Sequence, residues 1–279
     1  MTYRSLFVHL DDTAETAQRL DVAARLARHY PAEVVGGYVV ATRDLTPTES
    51  ALLPPDLVKL RLGSATQAQH DAERRFRASM AAAGVANTQW RAPAGDAIDA
   101  AVLQARYADL AIVGQPARKG PDAAFAAELV NAVVMDSGRP VLVVPFIGPA
   151  KTLGERVMIA WKDSRESARA VADALPFLKD AKSVLAVAVT PRAEETVQEY
   201  GSDRAVEGFL RRHGVEGVVK RMVAQDIEAG EFLLSRAADF SADLIVMGGY
   251  SRPRLSRLVW GGVSQLMLES MTVPVLMSH

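Results

Sequence analysis

The sequence predicts an α/β protein built from two tandem domains, each a doubly wound parallel sheet of five strands. Strand-like and helix-like segments alternate along all 279 residues and are joined by short connections, which is the pattern of a parallel sheet with helices on both faces. Short runs of branched apolar residues, such as residues 244–247, are typical of strands buried in such a sheet. A long internal repeat indicates that the unit occurs twice.

The repeat is clearest near the end of each domain. Ala-Asp-Leu-Ala-Ile-Val-Gly at residues 108–114 matches Ala-Asp-Leu-Ile-Val-Met-Gly at residues 242–248. Arg-Pro-Val-Leu-Val at residues 139–143 matches Val-Pro-Val-Leu-Met at residues 273–277. Both pairs are 134 residues apart, so the stretch between these two strands has the same length in each domain.

The beginnings of the domains are farther apart than their ends. Asp12 and Asp163, which follow the first strand of each domain, are 151 residues apart. The first domain therefore contains 17 extra residues, the difference between 151 and 134. We expect them in the proline-bearing segment 41–64.

The predicted elements follow from apolar periods of two residues for strands and of about 3.6 residues for helices. In the first domain, residues 1–147, strands are expected at residues 5–10, 33–40, 89–92, 110–113 and 141–145, and helices at 13–29, 64–83, 97–107 and 121–135. In the second domain, residues 154–279, strands are expected at residues 156–161, 183–189, 217–223, 244–247 and 274–277, and helices at 167–175, 193–213, 227–240 and 261–270. Pro176 is expected to end the helix before it, and the turn-rich residues 147–154 form the linker.

The composition excludes several classes of protein. A net charge of −1 gives no electrostatic basis for nucleic acid or an anionic membrane as the main partner. The chain has no cysteine, which removes disulfides, thiolate metal sites and thiol catalysis. It shows neither a signal-peptide pattern nor an apolar run of the roughly 20 residues that a membrane helix needs. We therefore expect a soluble, cytoplasmic protein.

The turn after the fourth strand of the second domain has the pattern of an anion site. Gly248 and Gly249 follow the strand directly, and a loop rich in arginine comes next. A second glycine pair, Gly261 and Gly262, then opens an apolar-periodic helix that begins with Val263. Backbone N–H groups at such a helix start point outward, and glycine lets a phosphate approach them closely.

This stretch resembles the nucleotide-binding signature of the universal stress protein family, Gly-x2-Gly-x9-Gly-[Ser/Thr] after a strand. Gly248 matches the first glycine and Gly261 the third. Ser251 stands where the second glycine belongs, and Gly262 stands where the Ser/Thr belongs. Ser264, two residues further along the same helix start, is the candidate for the missing hydroxyl.

The resemblance implies an adenine nucleotide-binding-like fold with strand order 3-2-1-4-5 in each domain. It also implies that the last strands pair the two domains as a pseudo-two-fold, intrachain dimer, and it leaves open a further homodimer. An adenine nucleotide, with ATP and Mg²⁺ as candidates, would bind in the second domain. The candidate nucleotide-binding residues are Ala160, Trp161, Lys162, Asp163, Val189, Met247, Gly248, Gly249, Ser251, Arg252, Arg254, Gly261, Gly262, Val263 and Ser264.

Several of these residues have an ordinary structural alternative. Asp163 stands where a helix-capping residue is also expected, and Lys162 is either a phosphate ligand or a solvated loop residue. Trp161 either lies against an adenine ring or packs beneath the crossover helix. Arg252 and Arg254, together with Arg257, either clamp phosphates as bidentate donors or form a solvated basic loop.

The first domain is expected not to bind a nucleotide. Ala117 replaces the second glycine of the signature, and Ala127 and Glu128 fall where the second domain has Gly261 and Gly262. A carboxylate at a helix start suits the helix dipole and would repel a phosphate. Asp11 and Asp12 nevertheless keep the acid that the family places after the first strand.

The sequence contains no catalytic constellation that we can identify. The five histidines are scattered without metal-ligand spacing, and neither a nucleophile elbow nor a lysine-bearing phosphate loop is present. We therefore expect a protein without enzymatic activity. Two hypotheses follow: a stress-response protein with a regulatory nucleotide, or a nucleotide-free interaction or scaffold protein in which both sites have decayed.

Overall fold

The computed structural model describes residues 2–40, 54–92, 96–147, 151–190, 200–224, 227–249 and 261–279. Its strands are β1 Ser5–Leu10, β2 Glu33–Tyr38, β3 Thr88–Arg91, β4 Leu110–Gly114, β5 Val141–Val144, β6 Arg156–Trp161, β7 Ser183–Thr190, β8 Gly217–Val223, β9 Leu244–Gly248 and β10 Val275–Ser278. Its helices are α1 Thr16–His29, α2 Pro55–Ala82, α3 Ala97–Arg106, α4 Ala123–Asp136, α5 Arg165–Asp173, α6 Leu175–Asp180, α7 Tyr200–Arg212, α8 Ala229–Asp239 and α9 Gly262–Ser270.

The ten strands form one continuous sheet in the order β3-β2-β1-β4-β5-β10-β9-β6-β7-β8. The strands of each half pair in parallel in the predicted order 3-2-1-4-5. The two halves meet where β5 and β10 pair antiparallel, with Leu142 opposite Leu276. The predicted tandem arrangement is confirmed, and its two five-stranded sheets are joined edge to edge.

Helices cover both faces of this sheet. One face, called the α1 face, carries α1, α2, α5, α6 and α7, and the other, called the α9 face, carries α3, α4, α8 and α9. The central strands are buried on both faces, as the fully buried run from Leu110 to Val113 in β4 shows. Residues of alternate parity along each strand enter opposite cores, which explains why these strands are apolar throughout.

The repeated aspartates have the same structural task in both halves. The carboxylate of Asp109 accepts hydrogen bonds from the N–H groups of Arg4 (2.8 Å) and Ser5 (3.1 Å). The carboxylate of Asp243 accepts from the N–H groups of Gly154, Glu155 and Arg156 at 2.9–3.1 Å. Each aspartate therefore ties the start of its fourth strand to the start of its first strand.

Two differences from the predicted helices occur at prolines. Helix α2 begins at Pro55 and not at residue 64, because proline is favoured in the first turn, where its missing N–H costs nothing. Pro176 was expected to end a helix running to residue 175. Instead α5 ends at Asp173 and Pro176 lies in the first turn of α6, so the proline begins a new helix.

Candidate functional site

Helix α9 begins with backbone alone. Gly261 is its N-cap residue, with extended backbone angles (φ −65°, ψ 149°) and no side chain with which to cap the helix. A Cβ added to Gly262 would meet no described atom within 4 Å, so this position faces open space. The first turn carries no acidic side chain. The positive end of the helix dipole is therefore open to an anion from the side of Gly262.

An apolar surface lies on the same face at the carboxyl ends of the neighbouring strands. Ala160 in β6 lies opposite Met247 in β9 on one side and opposite Val187 in β7 on the other. Val189 lies two residues beyond Val187 in the same strand. All four belong to the core of the α9 face, together with Val263 of α9. Ala160, Val189 and Val263 are only half-buried and pack against the same core; these three apolar side chains are named here the 160–189–263 floor.

Gly248 and Gly249 are required by packing. A Cβ on Gly248 would lie 2.7 Å from the backbone carbon of Glu166 and from the backbone nitrogen of Ser167, because the first turn of α5 packs directly on this strand end. The N–H of Gly249 donates to the carbonyl of Ser278 (2.7 Å). This amide is engaged in the sheet, so Gly249 does not offer it to an anion.

The structure separates Trp161 from the α9 face. Trp161 packs against the core of the α1 face, as expected for the strand neighbour of Ala160. With Asp163, Val206 and Phe209 it lines a groove of about 410 Å³ between α5 and α7. Trp161 and Asp163 therefore lie at one side of the sheet, and the start of α9 lies at the other.

The groove exists because the two halves are packed with side chains of different size. Helices α2 and α7 end with equivalent hydrogen bonds, from Val85 to Met80 and from Val215 to Leu210. This match makes Val206 the counterpart of Phe76, which is fully buried in the first half. A valine in place of a phenylalanine leaves space between the helices.

The helix cap of α5 differs from the expectation for Asp163. Ser164 is the N-cap residue, and its hydroxyl accepts from the N–H of Ser167 at 3.3 Å. Asp163 and Lys162 are exposed. Ser264 is only 1% exposed, so its side chain faces the interior at the start of α9. Predicted residues Ser251, Arg252 and Arg254, with Arg257, lie outside the described residues.

In the first half the equivalent strand end is filled by an arginine. Arg19 of α1 is 3% exposed, and a Cβ on Gly114, the counterpart of Gly248, would meet its Nη1 atom. Its Nη2 lies 2.6 Å from the carboxylate of Asp11, and its Nε donates to the carbonyl of His9 at 2.9 Å. The acid that the resemblance assigns to a nucleotide is thus already paired within the protein.

The first half also lacks a helix start at the signature position. Helix α4 begins at Ala123, five residues before the counterpart of the first residue of α9. Glu128 therefore lies in the second turn of α4, and the prediction that Glu128 stands at a helix start was wrong. Ala127 and Glu128 lie inside the helix because α4 begins at Ala123, four residues before Ala127.

A model of the universal stress protein family matches the chain twice, at residues 2–145 and at residues 154–279. The two matches span nearly the whole chain, one in each half. The chain belongs to the universal stress protein family.

Solved structures agree with this assignment at the level of the fold. A universal stress protein from Archaeoglobus fulgidus DSM 4304 is 17% identical over 98% of this chain and 95% of that chain, with a TM-score of 0.73. A functionally unknown protein from Pseudomonas aeruginosa PAO1 is 17% identical over 99% of this chain and 92% of that chain, with a TM-score of 0.58. No curated protein matches the chain.

The buried polar cluster of this universal stress protein titrates unusually. Burial, assisted by the charge of Arg19, lowers the pKa of His9 to about 4, and the ring Nε2 lies 2.7 Å from the carbonyl of Val39. For Asp11, burial raises the pKa, but the charge of Arg19, the charge that His9 carries once it is protonated, and the hydroxyls of Thr13 and Thr16 outweigh it and lower the pKa. The cluster therefore holds a neutral histidine beside an ion pair.

Sequence reasoning missed Arg19 and two other arginines of the site region. Arg19 stands four residues before Ala23 on the apolar stripe of α1, and a charge on such a stripe is the available signal. Arg165 begins α5, where a cation opposes the helix dipole, and its Nη2 lies 3.3 Å from Nε2 of His279. Arg118 has no such local signal, because its partners are in the other half.

Neither a metal centre nor a membrane-spanning helix occurs in the part of the chain that the structure describes. There, no three His, Asp or Glu side chains are arranged to hold a metal ion. No helix among the described residues has both the length and the apolar character to cross a membrane.

Proposed function

We propose that this universal stress protein acts in a stress response and binds an adenine nucleotide in its C-terminal half as a regulatory ligand. The observation that carries the proposal is the open glycine start of α9 beside the 160–189–263 floor. The helix start would hold the phosphates at Gly261 and Gly262, and the floor would carry the base. The N-terminal half would bind none, since α4 begins five residues before the position equivalent to the start of α9 and leaves no open helix start there.

The two parts of the site suit the two chemical parts of a nucleotide. A helix start attracts negative charge through its dipole and its outward N–H groups, whereas a purine ring gains by covering half-buried apolar side chains. Arg252 and Arg254 remain the predicted side-chain ligands of the phosphates. Mg²⁺ would arrive with ATP, because Mg²⁺ is usually bound through substrate phosphates and few protein carboxylates.

The proposed mechanism is occupancy of the site without turnover. A ligand that prefers one arrangement of a protein shifts its population toward that arrangement. A nucleotide on α9 would thereby change the surface that the protein offers to other chains.

A second function, that of a nucleotide-free scaffold, is favoured by a specific observation. Trp161 faces the groove on the α1 face and gives no aromatic cover to a base on the α9 face. Gly262, where the family has Ser/Thr, adds no hydroxyl. In this alternative the start of α9 is only a helix end, and both halves serve as structural units.

Titration calorimetry with Mg·ATP separates the two functions. We expect wild-type protein to bind, and Gly262→Glu, which introduces the counterpart residue of the first half, to weaken binding by at least about 10-fold, or 1.4 kcal/mol. Gly262→Ala is the matched control without a charge and should bind more tightly than Gly262→Glu. Wild-type protein that gives no heat at millimolar nucleotide would refute the proposal and leave the scaffold function.

A further inference from the structure

The loop after β4 in the N-terminal half holds the far end of α9. The side-chain Nε2 of Gln115 donates to the carbonyl of Leu268 at 2.7 Å and lies 3.3 Å from the carbonyl of Glu269. Nη2 of Arg118 donates to the carbonyl of Glu269 at 2.5 Å and to the hydroxyl of Ser270 at 3.1 Å. Gln115 and Arg118 are named here the α9 clamp.

The clamp supplies what α9 itself lacks at its C-terminal end. The last four carbonyls of a helix have no partner within the helix, and a cation there is favourable because this end of the dipole is negative. Helix α9 carries no basic residue in its last turn. The N-terminal half provides both the hydrogen-bond donors and the positive charge.

Gln115 is held rigidly enough to direct its amide at α9. Its backbone N–H donates to the carbonyl of Val144 (2.8 Å), and its side-chain Oε1 accepts from the N–H of Phe146 (3.0 Å). Because Oε1 is bound to an N–H donor, the Nε2 group must face α9. The side chain is also only 8% exposed, so these hydrogen bonds are made largely out of water and are costly to leave unmade.

The glutamine of the clamp is not repeated in the C-terminal half. The counterpart of Gln115 in the C-terminal half is Gly249, and a Cβ there would lie 2.8 Å from the Cγ1 atom of Val134 in α4. Val134 is itself the counterpart of Leu268, 134 residues away. The tight packing of α4 therefore leaves no room for a glutamine at 249, so the contact of Gln115 with α9 has no mirror image across the pseudo-two-fold axis. Arg252, the counterpart of Arg118, lies outside the described residues.

We infer that the N-terminal half positions α9, and that Gln115 and Arg118 are the positioning residues through which it does so. The inference rests on the proposed function. Helix α9 has nine residues and is about 13 Å long, so a shift at its clamped end displaces Gly261 and Gly262 at the other. Binding at one end and clamping at the other are therefore coupled, and such coupling is reciprocal.

The test uses full-length Gln115→Glu and Arg118→Ala. Gln115→Glu keeps the acceptor for Phe146 and replaces the donor that faces Leu268 by a carboxylate oxygen. Without nucleotide, we expect amide exchange of α9 to become about 10-fold faster, or 1.4 kcal/mol less protected. With Mg·ATP, we expect the Kd to rise by a similar factor. Arg118→Lys, which keeps the cation, should restore part of both.

Arg106→Ala is the matched control. Nη2 of Arg106 donates to the carbonyl of Asp136 (3.0 Å) at the end of α4, so this variant removes an exposed arginine from a helix end within its own half. It should leave α9 exchange and the Kd unchanged. Urea unfolding of each variant separates a local effect on α9 from a loss of global stability.

The outcomes distinguish the two proposals. Wild-type protein without any heat of binding overturns the proposed function, and the clamp is then judged by exchange alone: faster exchange confined to α9 supports it. Unchanged α9 exchange in both clamp variants overturns the inference whatever the wild type binds. Faster exchange with an unchanged Kd overturns the coupling and leaves the nucleotide site intact.

Discussion

The side chain of Arg19 lies behind Gly114, whereas helix backbone lies behind Gly248. In the first half α1 is separated from the strand end by a buried guanidinium that is paired with Asp11. In the second half the counterpart of Arg19 is Ala170, and the first turn of α5 touches the strand directly. The glycine at the end of the fourth strand therefore has a different neighbour in each half.

This difference teaches that the strand-end glycine of the signature is required for packing in both halves. What distinguishes the halves is the start of the following helix. Helix α9 starts with bare backbone at Gly261 and Gly262, whereas α4 begins five residues before the equivalent position. A match to Gly248 alone would thus have carried little information about a ligand.

The largest expected loss of stability comes from removing the buried Arg19, which has no equivalent arginine in the second half. Arg19→Ala should lower the free energy of unfolding by about 3–5 kcal/mol, because removing one partner of a buried ion pair leaves the other unpaired. Arg169→Ala, which removes an exposed arginine paired with Asp173 in α5, should cost less than about 1 kcal/mol. Urea unfolding measures both losses. A loss for Arg19→Ala as small as the loss for Arg169→Ala would show that Arg19 is not a structural arginine.

A second effect depends on pH and is specific to the first half, because the counterpart of His9 is Ala160. The pKa of His9 is about 4 in the folded protein against an ordinary value of 6.5. At a pH between these two pKa values, His9 is protonated in the unfolded chain and neutral in the folded protein. The free energy of unfolding therefore decreases as the pH falls from 6.5 to about 4. The loss approaches about 3 kcal/mol, at roughly 1.4 kcal/mol for each pH unit.

Urea unfolding at several pH values between 6.5 and 4 measures this loss. His9→Gln should flatten the dependence over that range, and His70→Gln, at an exposed histidine, should keep it. The lowered pKa of Asp11 contributes only below its ordinary value of 3.8. A His9→Gln variant with the wild-type slope would contradict the assignment.

The smallest effects compare two glycines of one signature. Gly248→Ala should destabilise the protein by about 1–3 kcal/mol, because its Cβ meets the backbone of Glu166 and Ser167, which cannot move aside cheaply. Gly262→Ala should be neutral or stabilise by up to about 1 kcal/mol, since alanine is the better helix former and the space is open. Thermal unfolding of the two variants tests the distinction; a similar loss in both would refute it.

The sequence predicted the sheet well and the site only in part. Short apolar segments predicted the central strands, because such runs are typical of strands that are buried on both faces. The offset of 134 residues between the halves predicted that β4 and β9 would be equivalent, and the structure places Asp109 and Asp243 accordingly.

One error in the predicted site was avoidable from a local pattern, whereas two contacts depend on packing that local patterns do not encode. Ala160 and Trp161 were both assigned to one site, yet neighbours in a strand face opposite sides of the sheet; here alternation alone would have separated them. The pairing of Arg19 with Asp11 and the reach of Gln115 to Leu268 join residues from different elements or halves. Such contacts follow from the three-dimensional arrangement.

The continuous sheet ends in two unlike outer strands, since β3 has four residues and β8 has seven among those the structure describes. Exposed Lys220 stands at the centre of β8. If two copies paired β8 antiparallel about this centre, the two lysines would face each other, and like charges directly opposite disfavour an isologous contact. Pairing β8 with β3 of another copy would be heterologous, and such a contact forms a ring where the rotation closes and a filament where it does not. Lys220 thus disfavours the extension of the tandem sheet through a β8–β8 contact.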